Sequence, residues 1–413
     1  MLTSQLLFII IIFLVAFDFL LDQTMDYLNL TYQKEQLPDE LKGIYDDEQF
    51  KKSQEYHKVN AKFDFIQSSF SFIATLIMLF SGGFGLLNEW LSPLISNNII
   101  MALAYFGILF LASDIISLPF SIYKTFVIEE KFGFNKTSPK TYVLDKIKGY
   151  ALAIVIGGIL LYFLLWLILG IGENFWFYFW VVAGIFILLV NMFYTSVIMP
   201  LFNKLKPLEN GSLKTAIETY SKKINFPLDN IFVLDGSKRS AKANAFFSGM
   251  GSKKKIVLYD TLINNHSEEE LVAVLAHEVG HYKKKHIIWG YTLSILQIGF
   301  MLFILSKLIF NQEISKAFGA NDLVVHINLI AFGILFSPLS HLIGIAMNYF
   351  SRKNEYEADE YAATTYGAQP LQEALKKLSA NNLSNLTPHP AYVFFHYSHP
   401  PMLARLRFLK QFN

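Results

Sequence analysis

Seven apolar stretches set most of what this chain can fold into. They run from Leu6 to Leu21, Phe63 to Phe84, Ile99 to Tyr123, Tyr150 to Leu169, Phe175 to Phe202, His286 to Leu308 and Val324 to Phe350. A helix needs about 17–25 mostly apolar residues to cross a bilayer, and in hydrocarbon its backbone groups must be satisfied internally. The first stretch is short. No basic segment precedes it and no small-residue cleavage site follows it, so it reads as a retained span rather than a secretory leader. The fourth and fifth are divided by Gly170-Ile171-Gly172-Glu173-Asn174, which has the composition of a tight turn. Only 16% of the 413 residues are charged, against about 25% in soluble domains.

The loops between these stretches sort by charge. Six lysines lie between the first two, six more between Lys124 and Lys148, and fourteen Lys and Arg between Leu201 and Lys285. In the alternate connections Glu89 is the single charge of one and Glu173 of another, while Lys307 and Lys316 are the only basic residues of the third. Positive loops stay on the cytoplasmic side, so the N-terminus is expected outside and the C-terminus inside. The formal net charge of +2 gives no reason to expect a nucleic-acid partner. Zero cysteines exclude disulfides, thiolate metal ligands and cysteine catalysis.

The expected fold class is an all-α multispan membrane protein with a small α+β region at the cytoplasmic face. Residues 1–202 hold spans one to five and their cytoplasmic loops, and residues 286–350 hold spans six and seven. Residues 203–285 carry a helix from Ser212 to Ile224 and a strand from Asn230 to Leu234. A hairpin-like pair follows, Ala243 to Phe247 and Lys255 to Tyr259, around Ser248-Gly249-Met250-Gly251. Residues 351–413 read as helices interrupted by Pro388, Pro390 and Pro400-Pro401. The charged loop from Asp22 to Lys62 is also expected to be helical.

Chemistry enters at His277-Glu278-Val279-Gly280-His281. Ser267-Glu268-Glu269-Glu270 just before it is a capping box, so the motif falls on a helix. Residues four apart share a helical face, which lets His277 and His281 point at one metal ion with Glu278 beside them as a base. A zinc protease needs a third protein ligand and one open position. Without cysteine, that ligand is His, Asp or Glu. Glu355 and Asp359, four apart in Asn354-Glu355-Tyr356-Glu357-Ala358-Asp359-Glu360, could present a ligand and a supporting carboxylate together. The run reads equally as a solvated acidic face. Glu357 points elsewhere on that helix. His286, five residues past His281, falls off the shared face and is left out of the site.

HExxH followed after two further spans by ExxxD resembles the type I CAAX prenyl endopeptidase family, integral-membrane zinc metalloproteases. Further matching segments appear in order, among them Glu129-Glu130-Lys131-Phe132-Gly133-Phe134-Asn135, Pro200-Leu201-Phe202-Asn203-Lys204, Asn244-Ala245-Phe246-Phe247 and Ser398-His399-Pro400-Pro401 with Arg405. The resemblance implies seven helices enclosing a water-filled chamber, with the zinc site at its cytoplasmic end. It implies His277, His281 and Glu355 as ligands of one Zn2+ per chain, Glu278 as the base activating the attacking water, and Asp359 behind a ligand histidine. His399 or Arg405 would stabilise the oxyanion, and Asn244, Ala245 and Phe246 would form an edge that holds the substrate.

The reading is therefore a zinc metalloendopeptidase cleaving near the C-terminus of membrane-associated or prenylated peptides. Its expected partners are a peptide or lipidated peptide and the bilayer, and the protein is expected to act as a monomer. Richness in Lys, Asn, Ile and Phe favours a bacterial inner membrane, with the endoplasmic reticulum as the place in a eukaryote. The nearest alternative is a quality-control zinc protease of the heat-shock type without lipid specificity. An alternative of another class is a transporter or channel with a structural zinc, against which Glu278 argues, since a structural site needs no base. Asp114, Asn191, Gln297, His326 and His341 lie within spans, where polar groups face a wet interior or a hydrogen-bonded core.

Overall fold

The computed structural model describes residues 2–33, 37, 47–226, 231–248 and 255–413. Its first half is helical: α1 (Ser4–Thr31), α2 (Asp47–Phe80), α3 (Gly83–Leu91), α4 (Asn98–Tyr123), α5 (Pro139–Leu152), α6 (Gly158–Ile171), α7 (Phe175–Phe193) and α8 (Met199–Phe202). Short strands and helices follow: β1 (Leu205–Pro207), α9 (Ser212–Lys223), β2 (Ile231–Leu234), β3 (Ala245–Ser248), β4 (Lys255–Tyr259), α10 (Asp260–Ile263) and α11 (Glu268–Lys283). The remainder is α12 (His286–Leu308), α13 (Gln312–Ala317), α14 (Val325–Leu335), α15 (Ser337–Thr365), α16 (Ala368–Asn381), α17 (Pro390–His396) and α18 (Met402–Leu409).

Among the described residues, five helical runs are long and apolar enough to cross a membrane, and the pair α14–α15, bent by 51°, makes a sixth. One of the five is the run Pro139–Phe202, which Gly172 interrupts. Gly172 takes φ +65°, a conformation open to a residue without Cβ, and ends α6. The Phe163 and Phe179 rings on either side lie 6.4 Å apart, whereas one straight helix would hold them roughly 24 Å apart. The chain therefore folds back there. Only 6–17% of the most apolar window of each run is buried within the protein, so most of its apolar surface faces outward. Three of the charged or imidazole groups singled out in the spans have partners. Lys146 and Tyr150 donate to Asp114, His326 contacts the Asn88 side chain at 2.9 Å, and His341 contacts Asp18 at 3.1 Å.

The region after α8 adds a further strand, β1, to the expected helix, strand and hairpin-like pair. Its four strands form one sheet in the order β1-β2-β4-β3, with β2 and β4 parallel and both outer strands antiparallel to their neighbours. β3 and β4 pair antiparallel, with β3 starting at Ala245 rather than Ala243; residues 249–254 between them lie outside the described residues, as does Asn230. β1 ends in Pro207, which an edge strand tolerates because it needs no donor on its open side. The sheet packs with α9, α11 and α16 in one cluster that includes Ile217, Tyr220, Leu258, Leu262, Leu271 and Leu371, all buried. Full burial of one such aliphatic side chain contributes about 1.5–3 kcal/mol.

Candidate metal centre

Two helices build the centre. The capping box anticipated at Ser267 is formed: Glu270 N–H donates to Ser267 Oγ, and Ser267 N–H donates to the Glu270 carboxylate. It starts α11 in the register that puts His277 and His281 on one face. α15 then lies directly against that face, at a contact tight enough to favour glycine. A Cβ at Gly280 would sit 3.0 Å from Ala358 Cα and 3.1 Å from Ala358 O. This approach carries Glu355, about one turn before Ala358 on α15, and Asp359, the residue directly after it, up to the two histidines.

His277, His281 and Glu355 form the one group among the described residues whose ligand atoms converge for a metal ion. Their separations are 3.1 Å between the two Nε2 atoms, 3.2 Å from His281 Nε2 to Glu355 Oε1 and 3.5 Å from His277 Nε2 to Glu355 Oε2. Ligands at about 2.0–2.1 Å around a tetrahedral zinc lie roughly 3.3 Å from one another. Glu355 Oε2 is buried and accepts no hydrogen bond; Arg405 faces it only as an ion-pair partner at 3.3 Å, which leaves a lone pair for a metal cation. Two imidazoles and one carboxylate, with a side open to a cavity, suit a catalytic zinc site.

The supporting residues are closely tied. Asp359 Oδ1 lies 2.9 Å from His277 Nδ1. Arg405, buried, donates from Nε and one NH2 group to both oxygens of Asp359, at 2.8 and 2.6 Å, and its other nitrogen stands 3.3 Å from Glu355 Oε2. Arg405 is thus committed to the acidic pair. His399 is exposed toward the cavity, with Nδ1 3.0 Å from Ser398 Oγ and Nε2 3.3 Å from Glu355 Oε1. Glu278, half-buried, opens on the same cavity. Burial raises its pKa above the ordinary carboxylate value, and the charges of His277 and His281 oppose that rise.

Asn244, Ala245 and Phe246 line this cavity of about 480 Å³ together with His277, Glu278 and His399. Among the described residues β3 pairs with β4 along one side only, which leaves its other side as a sheet edge. The strand's entry is clamped by Asn382, whose side chain accepts from Ala243 N–H at 3.0 Å and donates to Ala243 O at 3.1 Å. The preceding loop is stitched to the membrane half: Arg239 makes a two-pronged bond to Asp145, and Lys242 pairs with Glu129 at 3.1 Å, the latter also accepting from Tyr56. Every residue singled out from the sequence for the site is therefore brought to one cavity or its immediate wall.

One site neighbour was missed. His286 lies 3.0 Å from His281 Nδ1 on one side and 3.1 Å from Glu357 on the other. Helical spacing does not bring it there. Lys285 adopts φ +61° and breaks the helix between α11 and α12, turning His286 back toward His281. A left-handed lysine has no compositional signature, so the spacing argument had nothing to detect.

Comparison with known proteins agrees with this geometry. Residues 26–204 match the model of the CAAX prenyl protease N-terminal region with five membrane helices, and residues 207–413 match peptidase family M48. CAAX prenyl protease 1 of Saccharomyces cerevisiae is 35% identical, with 91% of this chain and 90% of that protein covered. The Homo sapiens CAAX prenyl protease 1 homolog is 33% identical over 91% of this chain and 88% of its own length. The crystal structure of S. mikatae Ste24p, 34% identical, superposes with a TM-score of 0.92 and covers 98% of this chain and 99% of that one. With both halves matched in order and a metal-ligand triangle in place, the chain belongs to peptidase family M48, as a multi-pass membrane metallopeptidase of the CAAX prenyl protease type.

Proposed function

We propose that this chain is a zinc endopeptidase that cleaves CAAX-type peptides near their C-terminus, using one zinc held by His277, His281 and Glu355. The observation that carries the reading is that the ligand triangle, Glu278 and the open edge of β3 all face one cavity. A zinc ion there would supply Lewis acidity and lower the pKa of a coordinated water from about 15.7 to near 7. Glu278 takes the proton of the attacking water and returns it to the leaving nitrogen. The edge at Asn244, Ala245 and Phe246 holds the peptide extended by main-chain pairing. His399, exposed to the cavity, donates to the carbonyl oxygen as negative charge develops on it. Arg405 acts behind the ligands, holding Asp359 against His277.

The bundle crosses the membrane seven times in this reading, since the fold-back at Gly172 divides the run Pro139–Phe202 into two crossings and α14–α15 supplies the seventh. A polar cavity of about 360 Å³ lined by Asp18, Asp22, Ser337 and His341 supports a wet chamber between the helices. The basic loops put the metal centre on the cytoplasmic side, at the endoplasmic reticulum in a eukaryotic host or the inner membrane in a bacterial one. The protein acts as a monomer on peptide or lipidated-peptide substrates and has no nucleic-acid partner. The match over residues 26–204 favours this reading over the heat-shock type of protease. The test is cleavage of one CAAX peptide, prenylated and unprenylated, by purified protein in vesicles. Zinc-dependent release of a C-terminal fragment is expected, faster from the prenylated form. Equal turnover would reject lipid recognition, and no cleavage of either would reject the substrate class.

A further inference from the structure

We infer that His286 and Glu357 form a relay that positions the metal ligand His281, the counterpart of Asp359 behind His277. The inference rests on the reading of His277, His281 and Glu355 as metal ligands. Two Nε2 atoms point into the ligand triangle, and each histidine's Nδ1 needs a partner on the far side. His277 meets a carboxylate directly, with Asp359 Oδ1 at 2.9 Å. His281 has no carboxylate at its Nδ1. It meets His286 Nδ1 at 3.0 Å, and His286 Nε2 stands 3.1 Å from Glu357 Oε2.

Tautomer logic gives the chain of donors. With Nε2 reserved for the metal, His281 carries its hydrogen on Nδ1 and donates it to His286 Nδ1. His286 must then carry its own hydrogen on Nε2, which donates to Glu357. The three groups thus share one consistent protonation pattern ending on a carboxylate, and it orients the His281 ring and strengthens its basicity as a ligand. The relay is buried where it matters: His286 is 8% exposed, while the Glu357 carboxylate reaches outward to Lys353 at 3.8 Å. Glu355 and Glu357 sit on the same turn of α15, so one helix supplies both a ligand and the end of the relay. The left-handed Lys285 is what allows it, since a continuous helix would carry His286 away from His281.

The test is zinc affinity by competition with a chelator, on the full-length protein in detergent, with the cobalt-substituted visible spectrum as a second readout. His286→Phe keeps aromatic bulk but removes the acceptor, and is expected to weaken zinc binding about 10- to 100-fold and to shift the cobalt bands. His286→Asn places an amide oxygen near the position of Nδ1 and is expected to restore most of the affinity, whereas His286→Gln places it near Nε2 and is not. Glu357→Ala is expected to weaken binding by a smaller factor than His286→Phe. The metal-free variants should melt at the wild-type temperature. Equal zinc affinity in His286→Phe and wild type would overturn the relay, as would equal loss in His286→Asn and His286→Phe. Wild-type protein that fails to bind zinc would instead overturn the ligand assignment.

Discussion

The membrane bundle and the catalytic region are packed by opposite rules. Along the spans most apolar side chains face outward, Ile159 and Phe13 being 65% and 64% exposed, because the bilayer completes their burial. The catalytic region supplies its own interior and then places charges in it: Asp359 is fully buried and Glu355, His277, His286 and Arg405 are each at most 9% exposed. Burying a charge is costly unless it is paired and hydrogen-bonded, and here the pairing is mutual and closed around the ligand triangle. The bundle should therefore tolerate change on its outer surface, while the centre should fail as a unit.

The buried cluster should respond most strongly to the loss of one partner. Arg405→Met leaves Asp359 and Glu355 uncompensated, a loss of about 3–5 kcal/mol for a broken buried pair. Thermal unfolding in detergent should show a strong drop in melting temperature together with reduced zinc content, and wild-type behaviour would mean the cluster is not closed. A smaller effect is expected at the helix crossing. Gly280→Ala forces a Cβ to within 3.0 Å of Ala358 Cα, and overpacking of this kind costs about 1–3 kcal/mol. Because the shift separates α11 from α15, peptidase activity should fall further than the melting temperature suggests. The smallest effect belongs to the bundle surface: Ile159→Leu should change stability by less than about 0.5 kcal/mol and leave cleavage unchanged. A large loss there would show that the outer surface is packed against protein rather than lipid.

The two regions also differ in how much could be read from the residues. Spans were legible because length and hydropathy report the bilayer directly, and Gly172 marked the fold-back within the longest run. At the centre, Ser267 and Glu270 announced the helix, and the four-residue spacings of His277 with His281 and Glu355 with Asp359 announced the shared faces. What stayed hidden was tertiary. β1 is three residues long and ends in proline, so no alternation reveals it. Asn382 reaches Ala243 across 139 residues, and nothing local in either residue points to the other. His286 needed a backbone conformation at Lys285 that side-chain chemistry does not encode, and Arg405, a candidate for the oxyanion from the sequence, is bound to Asp359 46 residues before it.

In the proposed mechanism Glu278 performs chemistry at a metal it does not hold. Glu278→Gln keeps the shape of the side chain, leaves His277, His281 and Glu355 untouched, and removes the base. Zinc content and CAAX-peptide cleavage measured on the same purified preparation should show one zinc per chain and a loss of turnover of at least about a hundredfold. Undiminished cleavage would contradict the mechanism, and loss of the zinc would contradict the ligand set.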